Sequence, residues 1–214
     1  ITKDKNIRRR WEFAIYNLDG ELIVDFEPYL EVIDSQNFRK YREKSGITNT
    51  LNTRYSQHFH IKDGKVQPGA TFIDYQEVPG YPNLKIIKAL NGWYYLYDMN
   101  NCQTTSFGFH KMAQDLDGTN FLEEKQRLVG ETTISSKNKM FSMTLVGLID
   151  LSGKLVSPLV VKDTPNISYS IENMTNSNYV NLLNEIEKEL DNKEKVRASL
   201  KEKLLLPKTD GEGS

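Results

Sequence analysis

The sequence of 214 residues has a single cysteine, Cys102, which excludes an internal disulfide framework and any zinc site built on thiolates. It lacks an excess of charge of either sign: 28 Lys plus Arg stand against 29 Asp plus Glu, a net charge of −1 with His neutral. A dedicated nucleic-acid binder normally carries a basic surplus, so this balance argues against one. No stretch approaches the roughly 20 apolar residues that a membrane-spanning helix requires. The apolar run at 144–149, for example, is closed by Asp150. A phosphate-cradling glycine loop is missing too, the glycines being scattered singly in turns. Neither an initiator Met nor a charged-then-apolar leader stands at Ile1, so we expect a processed product or an excerpt of a longer chain. What is present is 38% hydrophobic and 10% aromatic content, enough to build a core, in a length that suits one large domain or two small ones.

The texture of the chain changes along its length. Residues 1–10 form a basic arm, with Lys3, Lys5, Arg8, Arg9 and Arg10 against the lone acid Asp4. Residues 11–172 are rich in Tyr, Phe, Ile and Val and are broken by Gly, Asn, Asp and Pro every dozen residues or so. That is the pattern of a β-rich domain of short strands. Residues 177–204 contain neither Gly nor Pro and switch to helical spacing, and 205–214 read as a flexible polar tail.

Within the β-rich part a hairpin grammar recurs. Phe13-Ala14-Ile15-Tyr16 runs into Asn17-Leu18-Asp19-Gly20 and then Glu21-Leu22-Ile23-Val24. Asn or Asp at the first turn position can accept a hydrogen bond from the backbone two residues on, and Gly at the fourth takes the left-handed conformation. The same order returns around Asp150 and Gly153, around Asp63 and Gly64 in a turn one residue shorter, and around Asp98, where Asn101 stands for the glycine. Gly20, Gly64, Asn101 and Gly153 lie 44, 37 and 52 residues apart, which suggests about four diverged units with insertions of different length. The plainer alternative is that any all-β chain contains several such turns.

The unit from Val146 to Pro158 resembles one repeat of the bacterial WG (KWG) family, which reads Trp-Gly, two apolar residues, Asp, two polar residues, Gly-Lys, a β run and Pro. Gly147, Asp150, Gly153, Lys154 and Pro158 match, while Val146 stands at the Trp position. In the other copies Phe13-Ala14 and Tyr94-Tyr95 fill the Trp-Gly slot, and Trp11 and Trp93 fall out of register with it. The resemblance implies a β-rich repeat array with a binding or structural role, and transfers no active site. Consistent with that, single hairpins cannot bury an apolar face alone, and residues such as Tyr94, Leu96, Phe107 and Phe109 would fill the space between units. The expected fold is mainly β: antiparallel hairpins forming a curved or partly closed sheet, or a sandwich, followed by one long C-terminal helix.

For that helix, Asn176 or Ser177 is the expected N-cap. Tyr179, Leu182, Leu183, Ile186 and Leu190 make an apolar stripe that thins to Val196, Leu200 and Leu204. Acids (Glu185, Glu187, Glu189, Asp191) precede bases (Lys193, Lys195, Arg197, Lys201, Lys203), an order that complements the helix dipole. It also sets Glu189 four before Lys193 and Asp191 four before Lys195, pairs worth about 0.3 kcal/mol each. About 27 residues would span about 40 Å. We expect the first half to pack on the β domain, and the sparse half at Val196, Leu200 and Leu204 to be the candidate contact for a partner chain.

Chemistry-bearing residues are few. His58 and His60 alternate along a strand and so share a face, but no acid sits at ligand spacing and only His110 could join them. Cys102 precedes His110 by eight residues, a spacing that does not itself make a nucleophile–base pair. Asp115 with Asp117 and Glu123 with Glu124 read as solvated carboxylates. Tyr81, in the rigid turn 78–82, is a candidate contact residue, and Arg8, Arg9 and Arg10 with Trp11 could meet phosphates and stack a base, or meet an acidic protein. No catalytic, cofactor or metal residue is assigned. We read the chain as a non-enzymatic interaction or structural component of a larger assembly, contacting a protein partner or its own copies, cytoplasmic or in a virion. The abundance of Asn and Lys suggests a microbial or phage source. The alternatives are a hydrolase or glycan-processing enzyme with a site across sheet loops, and a nucleic-acid accessory domain using the basic arm.

Overall fold

The computed structural model describes residues 12–44, 53–114, 127–170 and 175–205. The chain forms two compact units, Ile1–Leu116 and Asp117–Ser214. The stretch 11–172, read from the sequence as one β-rich domain, is therefore shared between them, and the helix belongs with the second. The architecture is mainly antiparallel β in open sheets with one long C-terminal helix, as expected.

In the first unit, β1 (Glu12–Tyr16) and β2 (Leu22–Pro28) form a two-stranded ribbon. Its turn follows the sequence logic: Asn17 Oδ1 accepts from the amides of Asp19 (3.0 Å) and Glu21 (2.8 Å), and Gly20 has φ of 84°. Next comes a seven-stranded meander in chain order: β3 (Leu30–Val32), β4 (Asn37–Lys44), β5 (Thr53–Lys62), β6 (Lys65–Val78), β7 (Tyr81–Ala89), β8 (Tyr94–Asp98) and β9 (Gln103–Thr104). Asp63 and Gly64, both at positive φ, close β5 onto β6 in two residues, as a right-twisted hairpin favours. A short strand, β10 (Lys111–Gln114), ends the described part of this unit.

The fourth predicted turn differs. Asn101 does not take the left-handed position; Cys102 does, with φ of 53°. The turn runs one residue later than the pattern suggested, from Met99 to Cys102, because the Asp98 carboxylate caps the amides of Asn100 (2.9 Å) and Asn101 (3.3 Å). Asn101 spends its side chain on Asp98 Oδ2 as well (2.6 Å).

One core of this unit gathers Val24, Leu30 and Phe38, with Phe59 stacked on Phe38 at 5.1 Å. A second gathers Phe72, Ile87, Tyr97 and Met99. Leu96, Phe107 and Phe109 are buried, as the alternation implied.

The second unit has β11 (Arg127–Ser135), β12 (Ser142–Asp150), β13 (Leu159–Val161) and β14 (Thr164–Tyr169) paired in that order, and α1 (Asn176–Leu205). Alternate residues of β11 and β12 are buried (Leu128, Thr132, Ile134; Leu145, Ile149), and the register pairs Leu128 with Ile149 and Thr132 with Leu145. The predicted strand after Gly153 is reduced to one bridge, Ile149 with Leu155. Beyond it the Ser157 hydroxyl accepts the Leu148 amide proton (2.9 Å), and Pro158 has no amide with which to extend a ladder.

Two details of the helix are corrected. Thr175 caps it, its Oγ1 accepting from the Asn178 amide at 3.2 Å, one residue before the expected Asn176 or Ser177. The first turn holds no acid. Glu185 stands more than two turns in, beyond the range over which the dipole acts. Tyr179, Ile186 and Leu190 are buried, so the first half packs as expected. The β11–β12 turn grips it further: the Lys137 amide donates to Asp191 (2.7 Å), Asn138 Nδ2 to Glu194, and Arg197 lies over the Phe141 ring at 5.7 Å. The Tyr179 hydroxyl and the Thr132 hydroxyl are 2.6 Å apart, both groups buried. Tyr179→Phe should therefore lower the stability of this unit by about 1 kcal/mol, because Thr132 loses a buried partner. Thermal unfolding followed by helix circular dichroism measures it, and an unchanged midpoint would show that the bond adds nothing net.

Candidate functional site

The chemistry-bearing residues of the first unit converge on a buried polar cluster beside a cavity. The pleat puts His58 and His60 of β5 on one face, where the register sets them opposite Arg39 and Asn37 of β4. His58, His60 and Asn37 are all buried. Asn37 Nδ2 donates to both oxygens of Asp34 (3.0 and 2.9 Å). A carboxylate only accepts, so this fixes the amide, and its Oδ1 is left facing His58 Nε2 and His60 Nδ1, each at 3.0 Å. Both imidazoles must donate there. His58 therefore carries its proton on Nε2, and its Nδ1 accepts from the Tyr97 hydroxyl at 2.7 Å. The Tyr97 oxygen in turn accepts the Ala70 amide proton at 3.1 Å.

This cluster is closed to chemistry. Burial and the neighbouring His60 pull the His58 pKa down to about 4, while burial raises that of Tyr97. Asn37, both nitrogens of His58 and the Tyr97 hydroxyl are hydrogen-bonded to other protein groups, and these side chains are buried, while the chain of bonds reaches the surface at the exposed Asp34. Gly69 makes the packing possible: a Cβ there would lie 2.0 Å from the Tyr97 hydroxyl and 2.6 Å from His58 Nδ1. Among the described residues no group of three or more His, Cys, Asp or Glu could hold a metal ion. His110 is exposed and lies against Trp93, ring centroids 4.4 Å apart. The Cys102 thiol, half-buried and with its pKa raised by burial, faces the Met99 carbonyl at 3.6 Å.

Next to the cluster, Ala70 forms part of the wall of a cavity of about 390 Å³. Polar side chains of Thr71, Asn91, Tyr95, Thr104, Thr105 and Ser106 line it over an apolar floor of Ile87 and Ala89. Its walls are fixed by local bonds. Asn91 Nδ2 donates to the Tyr95 hydroxyl (3.0 Å), Thr105 Oγ1 donates to the Phe107 carbonyl (2.9 Å), and the Thr105 amide donates to the Leu96 carbonyl (2.9 Å). Gly108 lets the loop lie against Tyr95, since a Cβ there would sit 2.8 Å from two of its ring carbons. None of the lining residues is charged, so the cavity does not supply the paired carboxylates that glycoside hydrolysis uses.

The residues singled out from sequence are dispersed. Arg8, Arg9, Arg10 and Trp11, and the acids Asp115, Asp117, Glu123 and Glu124, lie outside the described residues. Tyr81 is half-buried at the start of β7, just after Gly80 at φ of 80°. Val196 and Leu200 are 60% and 55% exposed on α1, and Leu204 belongs to the same helix. Arg39, which the sequence reading passed over, is already occupied: Glu31 holds its Nε and Nη2 (3.1 and 2.9 Å), and the rings of Tyr41 and Tyr75 lie 4.8 and 4.9 Å away. Also unforeseen are the half-exposed Phe13, Tyr16, Leu22 and Phe26 of the β1–β2 ribbon. No helix among the described residues is long and apolar enough to cross a membrane. Comparison with family models, with curated proteins and with solved structures finds no match to this chain.

Proposed function

We propose that the chain is a non-enzymatic interaction component of a larger assembly, and that the distal half of α1 is its contact for a protein partner. One observation carries this reading. The packed stripe of the helix ends at Glu194, yet the helix continues to Leu205, and every residue from Lys195 to Lys201 is exposed. Those turns present Val196 and Leu200 four residues apart among Lys193, Lys195, Arg197 and Lys201. An apolar pair framed by bases fits a groove that is apolar in the middle and acidic at its rim, and a second copy of the same basic segment would be repelled. The likeness of 146–158 to the WG repeat, an array without shared catalytic residues, agrees with a binding role. The closed His58 cluster gives no support to a hydrolase.

The test uses the full chain and a synthetic helical peptide with Leu at its seam and Glu on both flanks. Binding should weaken with added salt and fall at least about tenfold in Val196→Asp with Leu200→Asp, the loss of roughly one buried aliphatic pair. Both substituted positions are exposed, so melting temperature should not change. Equal binding by both forms overturns the reading. Sedimentation showing a wild-type dimer that the two substitutions dissociate would replace the acidic partner with a second copy.

A further inference from the structure

The cavity beside Tyr95 is a second, independent feature, and we propose that it binds a neutral saccharide. Its lining eliminates the other common ligand classes in turn. A phosphate or carboxylate ligand is held best by a cationic side chain, and a metal by an anionic or imidazole ligand; the lining offers none of these. A purely apolar ligand would displace water from the hydroxyls of Thr71, Thr104 and Ser106 and from the Asn91 carbonyl oxygen without replacing its hydrogen bonds, at a cost for each group it covers.

A sugar matches what remains. Its hydroxyls both donate and accept, as do the hydroxyls of Thr71, Thr104 and Ser106, and as Asn91 does through its two ends. Its ring carries C–H groups that lie well against an aromatic ring and an aliphatic floor, here Tyr95 over Ile87 and Ala89. The Tyr95 hydroxyl, which accepts from Asn91, keeps its own proton to donate. The volume of about 390 Å³ sits at the small end of ligand cavities and suits one or two sugar rings. Asn91, Thr104 and Ser106 are exposed, so the mouth is open and a longer chain can extend out of it. The walls are preorganised: the Ala70 amide is tied to Tyr97, and the Thr105 amide to Leu96.

The experiment titrates the isotope-labelled full chain with maltotriose, cellotriose and chitotriose, with trigalacturonate as an anionic arm and adenosine monophosphate as a stacking arm. At least one neutral trisaccharide should shift the amide signals of Ala70, Thr71 and Thr105 with a millimolar Kd, and more tightly than either anion. Tyr95→Ala should weaken that binding at least about tenfold. Ser106→Trp, at an exposed position, should fill the mouth and abolish the shifts while the rest of the spectrum stays in place. The proposal is overturned if no neutral trisaccharide moves those amides, if trigalacturonate or the nucleotide binds them more tightly, or if binding survives Ser106→Trp.

Discussion

Gly69→Ala is expected to destabilise the first unit by about 3 kcal/mol, the upper end of what one added methyl does in a packed interior. The added Cβ would arrive 2.0 Å from the Tyr97 hydroxyl and 2.6 Å from His58 Nδ1. Neither group can yield cheaply. Both side chains are buried, and each is held by a second hydrogen bond, Tyr97 to the Ala70 amide and His58 to Asn37. Relief therefore means breaking the Tyr97–His58 bond and leaving buried polar atoms unpaired, which adds the desolvation cost to the steric one. Trp93 belongs to the first unit and the sequence has no tryptophan after it, so Trp93 fluorescence reports the unfolding of that unit separately. The urea midpoint should fall by roughly 1.5 M for an m-value of about 2 kcal/mol/M. Gly147→Ala is the useful contrast. There the Cβ meets the methyl ends of the Leu159 and Leu155 side chains at 2.7 and 2.8 Å, a steric clash with no hydrogen bond to break, so the loss should be smaller than for Gly69→Ala. A midpoint for Gly69→Ala equal to wild type would mean that the cluster is looser than its geometry.

Acid should weaken the same unit through His58. Its pKa is about 4 in the folded chain against an ordinary 6.5, so between those values the unfolded chain binds the extra proton and the folded one does not. Stability is then full above pH 6.5, falls as the pH drops toward 4, and levels off below it; a gap of this size is worth about 3 kcal/mol. The titratable groups at the ring are Tyr97, whose hydroxyl donates to Nδ1, His60, which acts with burial to lower the His58 pKa, and Asp34, which partly offsets them from behind Asn37. Carboxylates elsewhere also titrate at the acid end, so the measurement is a difference between two proteins. His58→Gln can donate to Asn37 and accept from Tyr97 as the imidazole does, without titrating. Urea midpoints at pH 7 and pH 4.5 should diverge more for wild type than for His58→Gln. Parallel slopes would show that His58 is not the group responsible. The midpoint, rather than the emission intensity of Trp93, is the quantity to follow.

The difference between what could be read in the sequence and what could not has a consistent cause. Alternation made the strands beside the recurring turns visible, and the Asx-to-Gly spacing located the turns at Gly20, Gly64 and Gly153, because those conformations are set by residues within four positions of one another. The same logic slipped by one residue at Cys102. There two Asn and one Asp compete for the cap, and local chemistry alone does not rank them. Tyr29 and Lys139 also adopt positive φ, and neither residue type signals it. Each lies in a link between two strands, Tyr29 between β2 and β3 and Lys139 between β11 and β12.

The shared face of His58 and His60 was legible, since the pleat requires it. What they do there was not. Asn37 and Tyr97 lie 21 and 39 residues from His58 and are brought to it by the register of β4 and by the curl of the sheet. The cavity is a still less local object, assembled from four separate stretches of chain between Ala70 and Ser106. The amino-acid sequence by itself determined a β-rich body, its turn chemistry and an amphipathic C-terminal helix whose stripe weakens past Leu190, because each depends on neighbours along the chain. The division into two units, the sealed imidazole cluster and the uncharged cavity were decided only by tertiary packing, because they depend on which distant side chains the sheet brings within hydrogen-bonding distance.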